Sequence, residues 1–146
     1  MTSFQAPAPV FAMLNVERSK LIRKFEAHMT PAKISDACTE FLSLIEVLDD
    51  AYWEASTITN KDTIYDVLSV FQQEAAELNK LSIQDHHYPY EMITEGIRQV
   101  SPKLHRLQAS VSQVVERTQT QVRLRQLLKN VMLIIEQQAN RWSSHE

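Results

Sequence analysis

Glycine is nearly missing from this chain. Gly96 is the only one in 146 residues. Phosphate-cradling Walker loops and dinucleotide-binding folds each need several glycines for turns and close backbone approach, so both are excluded. The same scarcity counts against β-rich folds, whose tight turns draw on glycine. Cysteine is equally scarce. Cys38 stands alone, which rules out an internal disulfide and any cysteine-based zinc cluster. No apolar run approaches the ~18 residues that a membrane-spanning helix requires. The first residues show no basic segment followed by an apolar core, so no secretory signal is expected. A lone thiol among apolar neighbours suits a reducing compartment, and the expected location is intracellular, in the cytoplasm.

What remains is an ordinary globular composition, 44% hydrophobic and 23% charged, and its patterning is helical throughout. Residues 1–9 read as an extended arm, rich in small residues and proline. Residues 10–146 read as a single helical-bundle domain. From 10 to 28 the positions Phe11, Leu14, Leu21, Ile22 and Phe25 recur at helical spacing among basic residues, which predicts an amphipathic helix. Thr30-Pro31 then supplies a cap and a first-turn proline for the next one. That helix carries Ile34, Cys38, Phe41, Ile45, Leu48, Tyr52 and Ala55 at alternating steps of four and three. Leu42, Leu44, Val47 and Trp53 widen its stripe toward a second neighbour. Thr59 or Asn60 is expected to cap a helix carrying Ile64, Leu68, Phe71, Ala75 and Leu78. Residues 82–89 form the main break, a shorter helix is expected over 89–100, and Ser101-Pro102 breaks or kinks the chain again.

The last third, 102–142, contains no glycine and no proline after Pro102. Its spacing predicts one rod of roughly 60 Å, at ~1.5 Å per residue. Projecting the heptad along it gives Leu107, Val111, Val114, Thr118, Gln121, Arg125, Leu128, Met132, Ile135, Ala139 and Trp142. The projected seam is polar in the middle and apolar at both ends. The fold class is therefore all-α: a four- to five-helix bundle of antiparallel helices with a long C-terminal helix of coiled-coil character.

Charge is unevenly distributed. Residues 34–95 hold thirteen acidic and two basic side chains, and residues 96–142 hold eight basic and two acidic. An acidic middle packed beside a basic C-terminal helix explains this economically. Four cations in the last third, Arg117, Arg123, Arg125 and Lys129, share no single stripe and have no interleaved aromatics, which disfavours nucleic acid.

Chemistry-bearing clusters are few. Asp85, His86, His87 and Glu91 gather potential ligands in the main break, without a second set at a metal-binding spacing. Glu46/Asp49 and Glu74/Glu77 each place two carboxylates on one helix face. Such pairs resemble the divalent-ion sites of helical nucleotide pyrophosphohydrolases of the MazG type, with the order of the two pairs reversed. That resemblance implies a metal-dependent helical enzyme as a third reading. Cys38, on an apolar seam with no base within a turn, reads as a core thiol.

The leading expectation is a non-enzymatic protein–protein interaction module, either a small structural or adaptor subunit or a homo-oligomer. It needs no cofactor or metal and shows no small-molecule substrate. Association is expected through the C-terminal helix at Leu128, Met132, Ile135 and Trp142, with Arg125 setting register. A helical chaperone or regulator that holds a partner's amphipathic segment is the alternative.

Overall fold

Helix formation follows the apolar spacing, and the boundaries are set by caps, by proline and by contacts with distant segments. The computed structural model describes the backbone of residues 31–143 and the side chains up to residue 138. The arm at 1–9 and the helix expected at 10–28 lie outside the described residues.

Helix α1 is Ile34–Glu54. It starts later than Thr30-Pro31 suggests because residues 32–34 are extended against residues 88–90. The Ile34 amide donates to the Tyr88 carbonyl at 2.9 Å, and the Tyr90 amide to the Ala32 carbonyl at 2.8 Å. Helix α2, Ile58–Asn79, is capped by Thr57, whose hydroxyl accepts from the Asn60 amide at 3.1 Å. The cap thus falls two residues before Thr59, the earlier of the two expected positions. A 3-10 turn at Gln84–His87 and a single-turn helix α3, Glu95–Arg98, fill the long connection. Helix α4, Ser101–Val114, carries Pro102 in its first turn, so Ser101-Pro102 is a true break. Helix α5 runs Thr118–Ser143.

The rod expected over 102–142 is therefore two helices. Val115 adopts an extended conformation, and the chain reverses over 115–117 without glycine or positive φ. Gln121 secures the reversal by donating its side-chain amide to the Val115 carbonyl, 2.6 Å. The break resets the helical phase. On α5 the core-facing line is Thr120, Leu124, Leu128, Val131, Ile135 and Gln138, not the heptad projected from α4. The two registers coincide only at Leu128 and Ile135.

Helices α1, α2, α4 and α5 form a ring in which each packs against the next and α5 closes against α1. Pairs between the two segments give the directions: Arg117 lies by Glu54, Arg123 by Asp50 and Asn130 by Glu40, so α5 runs antiparallel to α1. His105 meets Glu136, which makes α4 and α5 antiparallel as well. This is an all-α up-and-down bundle. Phe41 stands edge-on to both Phe71 and Tyr90, with ring centroids 5.1 and 5.3 Å away, at the centre of one contiguous core.

Candidate interaction surface

The two ends of the bundle are built differently, and the difference places the candidate site. One end is closed by the connection after α2. Residues 92–94 were expected to be helical, but their amides are claimed by side chains instead of by carbonyls four residues back. Glu74, wholly buried on α2, accepts from the Ile93 amide at 2.8 Å, the Thr94 amide at 2.9 Å and the Tyr90 hydroxyl at 3.0 Å. Gln138 on α5 accepts from the Met92 amide at 2.5 Å and donates to the Tyr90 carbonyl at 2.6 Å. Burial, with the Glu74 carboxylate alongside, pushes the Tyr90 phenol well above its ordinary range. Buried polar groups so fully bonded fix one arrangement of the loop.

This network settles what the carboxylate pairs do in the fold. Glu74 is committed to three donors, Glu77 pairs with Lys80 at 2.8 Å, and Glu46 and Asp49 face solvent on α1. The pairs do not converge, so the comparison with pyrophosphohydrolase carboxylates finds no shared site. Among the described residues no group of three or more His, Cys, Asp or Glu is arranged to hold a metal ion. His86 is half-buried in the 3-10 turn, whereas His87, Tyr88 and Glu91 are exposed. Cys38 is buried, and burial raises its thiol pKa, as befits a core thiol.

The expected association residues divide. Leu128 and Ile135 are buried in the chain's own core, Met132 is half-buried and Arg125 is exposed. The side chain of Trp142 lies outside the described residues. The apolar face of α5 is thus largely consumed by α1 and α4, because the hairpin folds α5 back onto the bundle.

Apolar surface appears elsewhere. Leu42 and Trp53, expected to widen the buried stripe of α1, are instead 50% and 74% exposed. The buried face of α1 is centred on Ala37, Leu44, Val47 and Ala51, between α2 and α5, and turns those two side chains outward. Ile58 and Tyr65, in the first turns of α2, are 78% and 57% exposed. Around the α1–α2 turn the Trp53 and Tyr52 rings are perpendicular at 5.4 Å, and Tyr65 lies 6.5 Å from Tyr52. Lys61 ties the turn together: its ammonium donates to the Tyr52 carbonyl at 2.7 Å and sits 4.6 Å from the Tyr52 ring centroid. The ring faces nearest this turn therefore already hold a cation of the chain's own. One exposed apolar surface is the outer face of α1 with the α1–α2 turn, whose Leu42 and Trp53 the periodicity assigns to the core. The available signal was that Leu42 and Trp53 share a line with Glu46 and Asp49, a mixture a core stripe would not carry.

Charge sorts along the same helix. Helix α1 contains six carboxylates and no Lys, Arg or His. Glu54, Asp50 and Glu40 lie on its α5 flank, where they meet Arg117 at 3.9 Å, Arg123 at 3.7 Å and Asn130 at 3.3 Å. Asp36, Glu46 and Asp49 are exposed, and none of them makes an ion pair or side-chain hydrogen bond among the described residues.

Between α2 and α4 an open groove is lined by Asp62, Asp66, Lys103, Arg106 and Ser110. It is crossed by the chain's own Lys103–Asp66 pair at 3.0 Å. No helix among the described residues is long and apolar enough to cross a membrane. Compared with protein-family models, curated proteins and solved structures, the chain matches none.

Proposed function

We propose that this chain is a non-enzymatic interaction module, a small helical adaptor or structural subunit that docks other proteins on the outer face of α1 and the α1–α2 turn. The carrying observation is the exposure of Leu42, Trp53, Ile58 and Tyr65 along one helix and the turn that follows it. Large apolar side chains scattered singly need no explanation, but Trp53 and Tyr65 gather around one turn through Tyr52, and aromatics so grouped are the usual composition of an interface centre. Ile83 and Tyr88, in the connection after α2, and Val122 on α5 are exposed as well, but they lie on separate elements. The buried polar groups at the closed end are occupied in holding the fold, and the carboxylate pairs point in different directions.

Association through α5 is a weaker form of the same proposal. Its two strongest residues, Leu128 and Ile135, reach a partner only if the bundle opens. The test compares proteins cross-linked to the wild-type chain in native extract with those cross-linked to a Trp53→Ala, Ile58→Ser variant of unchanged helicity. A partner captured by the wild type and lost by the variant is expected. Equal capture by both would overturn the choice of surface.

A further inference from the structure

We infer that the partner presents a cationic amphipathic helix, docked along α1 with apolar side chains on Leu42 and Trp53 and Lys or Arg between them. The inference rests on the proposed interaction face and adds the chemistry of its occupant. Leu42, Glu46, Asp49 and Trp53 are separated by four, three and four residues, so they form one solvent-facing line. Its apolar ends stand roughly 16 Å apart, three helical turns. Two carboxylates occupy the middle of that line, and the helix that bears them contains no base.

The molecule itself shows what this helix takes as a neighbour. On its other flank α1 holds α5, a helix whose apolar line seats Leu128 and Val131 in the core. The flanking Arg117 and Arg123 meet Glu54 and Asp50. The outer line repeats that chemistry, apolar anchors beside carboxylates, and no cation among the described residues pairs with Glu46 or Asp49. Glu46 and Asp49 are one turn apart, and their mutual repulsion would be relieved by a cation brought to this face. An acidic amphipathic helix would meet like charge along the whole contact, and desolvated like charges oppose association strongly. A purely apolar segment would leave both carboxylates desolvated and unpaired.

The probe is a fluorescein-labelled peptide of leucine and lysine, with leucines spaced to match Leu42 and Trp53 and lysines between them. A copy with glutamate for lysine is the control. Binding to the full chain is read by anisotropy. Tight binding of the lysine peptide and none of the glutamate copy is expected. Glu46→Gln with Asp49→Asn should weaken binding roughly tenfold at low salt, the scale of two exposed charge contacts. Glu77→Gln with Glu91→Gln removes the same net charge at the closed end and should leave affinity within about twofold, since exposed charges beyond a Debye length are screened. Equal weakening by both pairs would reduce the effect to net charge and overturn the inference, as would failure of the lysine peptide to bind. If Trp53→Ala abolishes binding but the Glu46, Asp49 pair does not matter, the cationic occupant is refuted while the interaction face survives. Loss of neither would remove the face as well.

Discussion

Glu74 is the residue on which the closed end depends. It accepts from three donors, two of them backbone amides of a segment without regular structure. Removing a shared acceptor leaves each buried donor with a desolvation cost of about 1–3 kcal/mol. Glu74→Ala should therefore lower the urea-unfolding free energy by roughly 3 kcal/mol or more, against about 1 kcal/mol for Tyr90→Phe. Equal losses would mean that water replaces the carboxylate. The same site gives stability an alkaline limit. In the folded chain the Tyr90 phenol and the Cys38 thiol are both raised above their ordinary values of 10.0 and 9.0. Above those values the unfolded chain binds fewer protons than the folded one, so stability falls as pH rises, and it is undiminished below them. Tm followed from about pH 8 to about pH 11 should decline, and less steeply for Tyr90→Phe at the upper end. Neither polar clamp was legible in the sequence. Glu74 reads there as half of a solvent-facing pair, because one-dimensional spacing carries no information about a loop arriving from sixteen to twenty residues away.

At the scale of elements, the apolar stripe of α2 was fully legible. Ile64, Leu68, Phe71, Ala75 and Leu78 are all buried, as their spacing predicts. An interruption at Ser101-Pro102 was legible for an equally local reason, since proline lacks the N–H that an unbroken helix would need, but whether it breaks or kinks the chain was not. The hairpin between α4 and α5 was not. It uses Val115, Glu116 and Arg117, residues compatible with helix, and reverses because α5 gains more by burying Leu124 and Val131 against α1 than by extending into water. Gly96 offers a complementary test of local propensity. A Cβ there would lie 3.6 Å from a Val70 methyl, an ordinary contact, and its φ is not positive. Gly96→Ala should then stabilise the protein by about 0.5 kcal/mol, chiefly by restricting the unfolded chain. Destabilisation in chemical denaturation would reveal a requirement for glycine that the backbone does not show.

At the scale of the whole molecule, the up-and-down ring decides which apolar residues are core and which are surface. Ile135→Asp places a charge in that core, and a loss of several kcal/mol with partial unfolding is expected. Trp53→Ala, at a site 74% exposed, should change stability by less than about 0.5 kcal/mol. Thermal unfolding with light scattering separates these effects from association. A well-folded Ile135→Asp monomer from a dimeric wild type would instead return the interface to α5. By itself the sequence determined that the chain is helical and that its described helices close into a bundle, because glycine scarcity and the spacing of apolar residues act locally and along one dimension. It also favoured an acidic middle lying beside a basic C-terminal helix; that the acidic element there is α1 came from the structure. Only the tertiary structure decided that the last third folds back on itself, that Leu128 and Ile135 are core, and that Leu42 and Trp53 face outward. The reason is rotational. A heptad fixes which residues share a face, but a single break resets the phase, and only the neighbours packed around a helix determine which of its faces is left to solvent.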